Sequence, residues 1–111
     1  MKKVKDRLLS TLGICKKAGK VIMGFEAVRE AAALGQVSLI VLSGDLSPKS
    51  GKEIAFTAEK QNIPVCTAPI TMEEIQSRLG KRSGILAITD RGLADTVLRT
   101  ASRAIEEESS I

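Results

Sequence analysis

The stretch Lys16-Lys17-Ala18-Gly19-Lys20-Val21-Ile22-Met23-Gly24-Phe25-Glu26-Ala27-Val28-Arg29 sets three lysines ahead of a glycine that opens a helical pattern. Unpaired N–H groups at a helix start, together with the positive end of the helix dipole, receive phosphates or base edges. Gly24, having no Cβ, lets a second backbone approach closely. The same residues would equally serve as a tight strand-to-helix turn with no ligand. Charge placement favours the anion. Within residues 1–20, Lys2, Lys3, Lys5, Arg7, Lys16, Lys17 and Lys20 face one acid, Asp6, whereas the rest of the chain is slightly acidic and the total is +4. A basic end on an otherwise balanced chain is the footprint of a polyanion partner.

Several other chemistries are excluded by residue type. The chain has no histidine, which removes imidazole acid–base catalysis, the usual triads and imidazole metal ligands. Cys15 and Cys66 stand apart, without the paired spacing of thiolate zinc sites, and each sits in an apolar stretch where a buried free thiol is expected. Leu39 to Glu53 has the glycines and lysine of a phosphate loop, but Leu46 stands where glycine is needed and Glu53 where Ser or Thr would hold magnesium. Asp45 and Asp90 each follow a strand and read as turn or cap residues. The only aromatics, Phe25 and Phe56, are too few for a base-stacking sheet or barrel. RNA, if bound, is held by backbone, charge and shape. No enzyme, cofactor, metal or small-molecule substrate is expected.

The elements that must position these residues alternate regularly. Leu8, Leu9, Leu12, Cys15 and Ala18 mark a first helix stopped by Gly19, and Val21–Met23 a very short strand. A second helix starts at Gly24, shows Phe25, Val28 and Ala32 on one face and ends at Gly35. Ser38–Leu42 reads as a strand covered on both faces. Ser47 and Pro48 begin a third helix ending near Asn62, and Ile63–Thr67 is a strand. Thr71 to Glu74 forms a capping box for a helix closing at Gly80. Ile85–Thr89 is the last strand, and Ala94, Val97, Leu98, Ala101 and Ile105 define a long final helix before a frayed tail, 106–111. Strands that are apolar throughout, alternating with helices, give one domain over residues 1–111: a three-layer α/β/α sandwich around a small mixed sheet. No apolar run is long enough to span a bilayer, so a cytoplasmic protein with no membrane partner is expected.

Taken in order, Ala18-Gly19-Lys20, Gly24, Gly35, Leu39–Leu42, Asp45 with Ser47-Pro48, Asn62-Ile63-Pro64-Val65, Thr71–Glu74, Leu79-Gly80 and Ala87-Ile88-Thr89-Asp90 with Gly92 resemble the kink-turn-binding ribosomal proteins of the L-seven-Ae and L-thirty-e type, in particular their small bacterial members. The resemblance runs from about Leu8 to Leu98. It implies an α/β/α sandwich that binds structured RNA, ribosomal or otherwise, through the start of the second helix and the loop before the last strand. By position the first contact falls on Gly24, Phe25, Glu26, Ala27 and Glu30, with Lys17, Lys20 and Arg29 supplying charge. The second falls on Lys81 to Leu86, with Lys81, Arg82, Ile85 and Leu86 as its basic and apolar contacts. In the family the helix start reads Gly-x-Asn-Glu with a lysine one turn later. Glu26, Ala27 and Glu30 depart from that pattern and remove the base-edge donors and one cation. The alternative this raises is a protein-interaction adaptor that keeps the fold without specific kink-turn recognition.

Overall fold

The computed structural model describes residues 3–109. Lys2 of the basic segment and the last two residues of the expected tail lie outside them. Five helices and four strands alternate: α1 (Lys3–Lys17), β1 (Val21–Met23), α2 (Phe25–Ala33), β2 (Leu39–Ser43), α3 (Pro48–Lys60), β3 (Val65–Ala68), α4 (Met72–Leu79), β4 (Ile85–Ile88) and α5 (Arg91–Ser109). The sheet order is β1-β4-β2-β3, with β4 antiparallel to both neighbours and β2 parallel to β3. It is therefore the mixed sheet of an α/β/α sandwich.

The alternation of side chains along the two central strands divides the interior in two. Leu39, Val41, Leu86 and Ile88 face α1, α4 and α5, where they meet Leu8, Leu12, Ile75, Leu79, Val97 and Ala101. Ile40, Leu42, Ile85 and Ala87 face α2 and α3, where they meet Val28, Ala32, Ile54 and Ala58. Each strand residue is thus committed to one layer, and a one-residue slip would exchange the layers.

Three expectations need correction. β3 starts at Val65 rather than Ile63 and is an edge strand: Cys66 and Ala68 are buried while Val65 and Thr67 are exposed, so it is not apolar on both faces. α2 starts at Phe25, with Gly24 as its cap residue. α5 runs to Ser109, into the expected tail, although the stripe that packs along α1, with Ala94, Val97, Ala101 and Ala104, ends before it.

α4, which leads into the loop of interest, is held at both ends. Its start is a complete capping box: the Glu74 N–H donates to Thr71 Oγ1 (3.1 Å) and the Thr71 N–H to Glu74 Oε1 (2.9 Å). Asp45, from the loop after β2, accepts the Met72 N–H at 3.1 Å. At the far end Gly80 takes the left-handed conformation (φ 84°), and Lys16 Nζ donates to the Leu79 carbonyl, a cation at a helix C-terminus. Partial desolvation pushes the Glu74 carboxyl up, but the Lys5 ammonium at 3.0 Å and the Thr71 donors outweigh it and hold the pKa low. For Asp45, desolvation likewise pushes up, and the nearby Ser43 hydroxyl, which makes no hydrogen bond of good geometry among the described residues, the Met72 N–H, its own backbone and the Arg82 charge together outweigh it.

Two predictions follow from these contacts. A Cβ on Gly84 would stand 2.7 Å from Ser43 Oγ, 2.9 Å from Leu46 Cδ1 and 3.2 Å from Met72 Cγ. Gly84→Ala should therefore cost about 1–3 kcal/mol by overpacking, read as a lower thermal midpoint; an unchanged midpoint contradicts the packing. Because both carboxyls are held below their ordinary values of 4.5 and 3.8, their contribution is complete above those values and disappears as pH falls through the lower folded ones. In urea titrations the E74Q/D45N double variant should be less stable than the parent at neutral pH. It should also lose less stability between about pH 5 and about pH 2; an identical decline in both proteins would contradict the assignment.

Candidate nucleic-acid interface

β1 delivers the chain to Gly24 at the edge of the sheet. There Gly24 has φ 105°, a conformation that side chains disfavour, and its N–H donates to the Ile85 carbonyl at 3.1 Å. Its own carbonyl accepts the Val28 N–H, the first bond of α2. The N–H groups of Phe25, Glu26 and Ala27 therefore precede the intrahelical ladder, and Gly24 has no side chain to cap them. The Glu26 carboxylate, which could have covered them, is engaged with Arg29 at 2.5 Å, one turn along the helix.

The loop between α4 and β4 meets this edge. A Cβ built on Gly24 would lie 4.0 Å from Lys81 Nζ, so the ammonium sits over the helix start. Ser83 is buried and its hydroxyl donates to the Ile85 carbonyl (2.9 Å) while accepting the Ile85 N–H (3.2 Å). One carbonyl oxygen thus takes a donor from each segment. Gly84 is locked in turn, since its carbonyl accepts the Ser43 N–H at 2.9 Å. The loop is anchored at Leu79 and at Gly84, and between the two anchors it exposes Lys81 and Arg82, the latter within the field of Asp45. A helix-start amide edge and an ammonium, both positive and close together, form one anion-receptive surface.

Not every expected residue belongs to it. Lys20 lies at the other end of β1, where its carbonyl accepts the Thr89 N–H; four residues of extended chain put it roughly 13 Å from Gly24. Lys17 lines a groove between α1 and α4 with Ile14, Arg78 and Leu79. Lys20 is therefore set back from Gly24, Lys16 is tied to the Leu79 carbonyl at the base of the Lys81 loop, and the cation beside Gly24 is Lys81. Ile85 and Leu86 are 3% and 0% exposed, one in each core layer, so their side chains cannot meet a flipped base as expected; what Ile85 supplies is its carbonyl. Phe25 is half-buried under the Arg29 guanidinium (5.5 Å). Arg29 and Glu30 line a cavity of about 450 Å³ between α2 and α3 together with Phe56 and Lys60. Asp45, read as a turn or cap residue, caps a helix distant in sequence. Sequence reasoning passed over one feature. Phe56 is 62% exposed with Lys60 Nζ 4.4 Å from its ring, as its position on the opposite side of α3 from Ala58 could have signalled.

Residues 6–98 match the family described as ribosomal protein L7Ae/L30e/S12e/Gadd45. The chain is 26% identical over 96 residues to the large ribosomal subunit protein eL30B of Schizosaccharomyces pombe, covering 85% of this chain and 82% of that one. Among solved structures, a protein of unknown function from Bacillus halodurans superposes with a TM-score of 0.79 at 24% identity, covering 92% of this chain and 99% of the other. The 15.5kD RNA binding protein of Giardia lamblia superposes at 0.74 with 11% identity, covering 96% and 91%, a likeness of fold. With a sequence match over most of its length and the same sandwich beneath it, the chain belongs to the ribosomal protein L7Ae/L30e/S12e/Gadd45 family.

Proposed function

We propose that the protein binds structured RNA without catalysis, through the α2 start and the Lys81–Gly84 loop. The single observation that carries this reading is the Lys81 ammonium over the uncapped start of α2, with both segments tied to the Ile85 carbonyl. The family and the ribosomal relative support it. A sharply bent backbone brings phosphates from two directions, and such a surface offers amides to one and ammonium and guanidinium groups to the other. Neither contact reads base identity. Glu26 is held by Arg29, and Ala27 carries no hydrogen-bonding side chain, so shape rather than base edges sets the preference. The reaction needs no metal, cofactor or small molecule, and the setting is cytoplasmic, on the ribosome or on another structured RNA.

A second reading, a protein-interaction adaptor, is favoured by one observation: the α2–α3 cavity is lined by the exposed Phe56 from α3 and the altered Glu30 from α2.

A gel-shift titration against a kink-turn hairpin and a straightened control separates the two. The RNA reading predicts tighter binding to the bent hairpin, while equal weak binding to both favours the adaptor. Lys81→Glu should weaken binding and lower the slope of log affinity against log salt by about one. The K17E/K20E variant should perturb the bent-hairpin preference less than Lys81→Glu does. An unchanged affinity in Lys81→Glu contradicts the assignment.

A further inference from the structure

α1 and α5 pack along their lengths, and on the outer side of their seam a small cavity of about 230 Å³ is lined by Arg7, Thr96, Arg99, Thr100 and Arg103. Thr96, Arg99, Thr100 and Arg103 fall at i, i+3, i+4 and i+7, one face of α5, and Arg7 meets them from α1. Three arginines line this cavity and, among the described residues, no acidic one does. Of the neighbouring acids, Asp6 is paired with Arg78 at 3.5 Å, Asp95 lines a different cavity with Arg91 and Asn62, and Glu106 and Glu107 follow Arg103 one turn on along α5 without lining this one. Among the described residues none of the three arginines has a carboxylate within ion-pair distance. Arg99 and Arg103, one turn apart, repel each other in the free protein, an arrangement that an anion relieves.

We infer that Arg7, Arg99 and Arg103 form a second phosphate-binding site, occupied by a backbone phosphodiester of the same RNA. The inference rests on the RNA reading above. Guanidinium groups match phosphate oxygens in pairs, and three of them surround a single group more fully than a lone surface arginine does. The lining has no aliphatic or aromatic side chain, so a protein segment would find no apolar anchor there, whereas a phosphate needs none. α1 and α5 cover one face of the sheet and α2 the other, so the site engages a different stretch of RNA from the one at Gly24. Its role is to hold an RNA arm that leaves the bend, adding affinity without sequence preference.

Fluorescence anisotropy with a kink-turn hairpin whose stem is extended by one helical turn, measured across a potassium chloride series, tests this. The R99Q/R103Q variant should lower the salt slope by about 0.9, the share of the one phosphate held there, and Arg7→Gln by part of that, while the preference for bent over straight hairpin is kept. Arg7→Gln, on the other helix, gives an independent reading should the double variant fold poorly. Unchanged slopes in variants that retain the parent melting temperature overturn the inference, and binding that is still lost in Lys81→Glu shows that the RNA reading survives that failure. If the parent binds neither hairpin, the RNA reading falls and this one with it. A melting-temperature shift by inorganic phosphate that these variants abolish, with the RNA slope untouched, marks a small-anion site and also overturns it.

Discussion

The proposed interface depends on one acceptor, the Ile85 carbonyl at the start of the central strand β4. It takes the Gly24 N–H from the end of β1 and the Ser83 hydroxyl from the loop that precedes its own strand. Each bond is of ordinary strength, and its importance is geometric. It fixes the distance between a helix start and a basic loop that are separated by most of the chain. Removing either donor would leave a buried acceptor less satisfied and would uncouple the two segments, a larger loss than the bond alone suggests.

The rest of the fold makes that junction rigid. Ile85 and Leu86 are sunk in opposite core layers, so β4 cannot rotate or slip without disrupting one of them. α4 is fixed at its start by Asp45 and the Thr71–Glu74 box and at its end by Lys16, leaving only a few residues between Gly80 and Gly84 to vary. Lys81 is thus an exposed side chain on a fixed base. An ammonium that already stands beside the helix start loses less freedom on meeting a phosphate than one gathered from solvent, which is how preorganisation contributes to affinity.

Much of this architecture was legible in the residue pattern. Helical spacing, continuous apolar runs and the glycine and proline punctuation located all nine elements of the described residues, and the capping box at Thr71 appears as read. The β3 boundary moved for a tertiary reason: the strand lies at the sheet edge, where one face needs no apolar cover. The site was less legible. Lys17 and Lys20 are near Gly24 in sequence, but the short strand between them carries them away, and Lys81 reaches Gly24 only because β1 pairs with β4. Ile85 and Leu86 were placed at the contact by the family resemblance, whereas the sheet buries them. Arg7 and Arg103 come from opposite ends of the chain, and no local pattern joins them.

The central claim is that the α2 start and the Lys81–Gly84 loop act on RNA as one surface. Amide hydrogen exchange, compared with and without a bound kink-turn hairpin, examines both segments in a single experiment. The account predicts slowed exchange together at Phe25, Glu26 and Ala27 and at Lys81 and Arg82, with β3 unaffected. Protection confined to one of the two segments, or appearing only along α3, would contradict it.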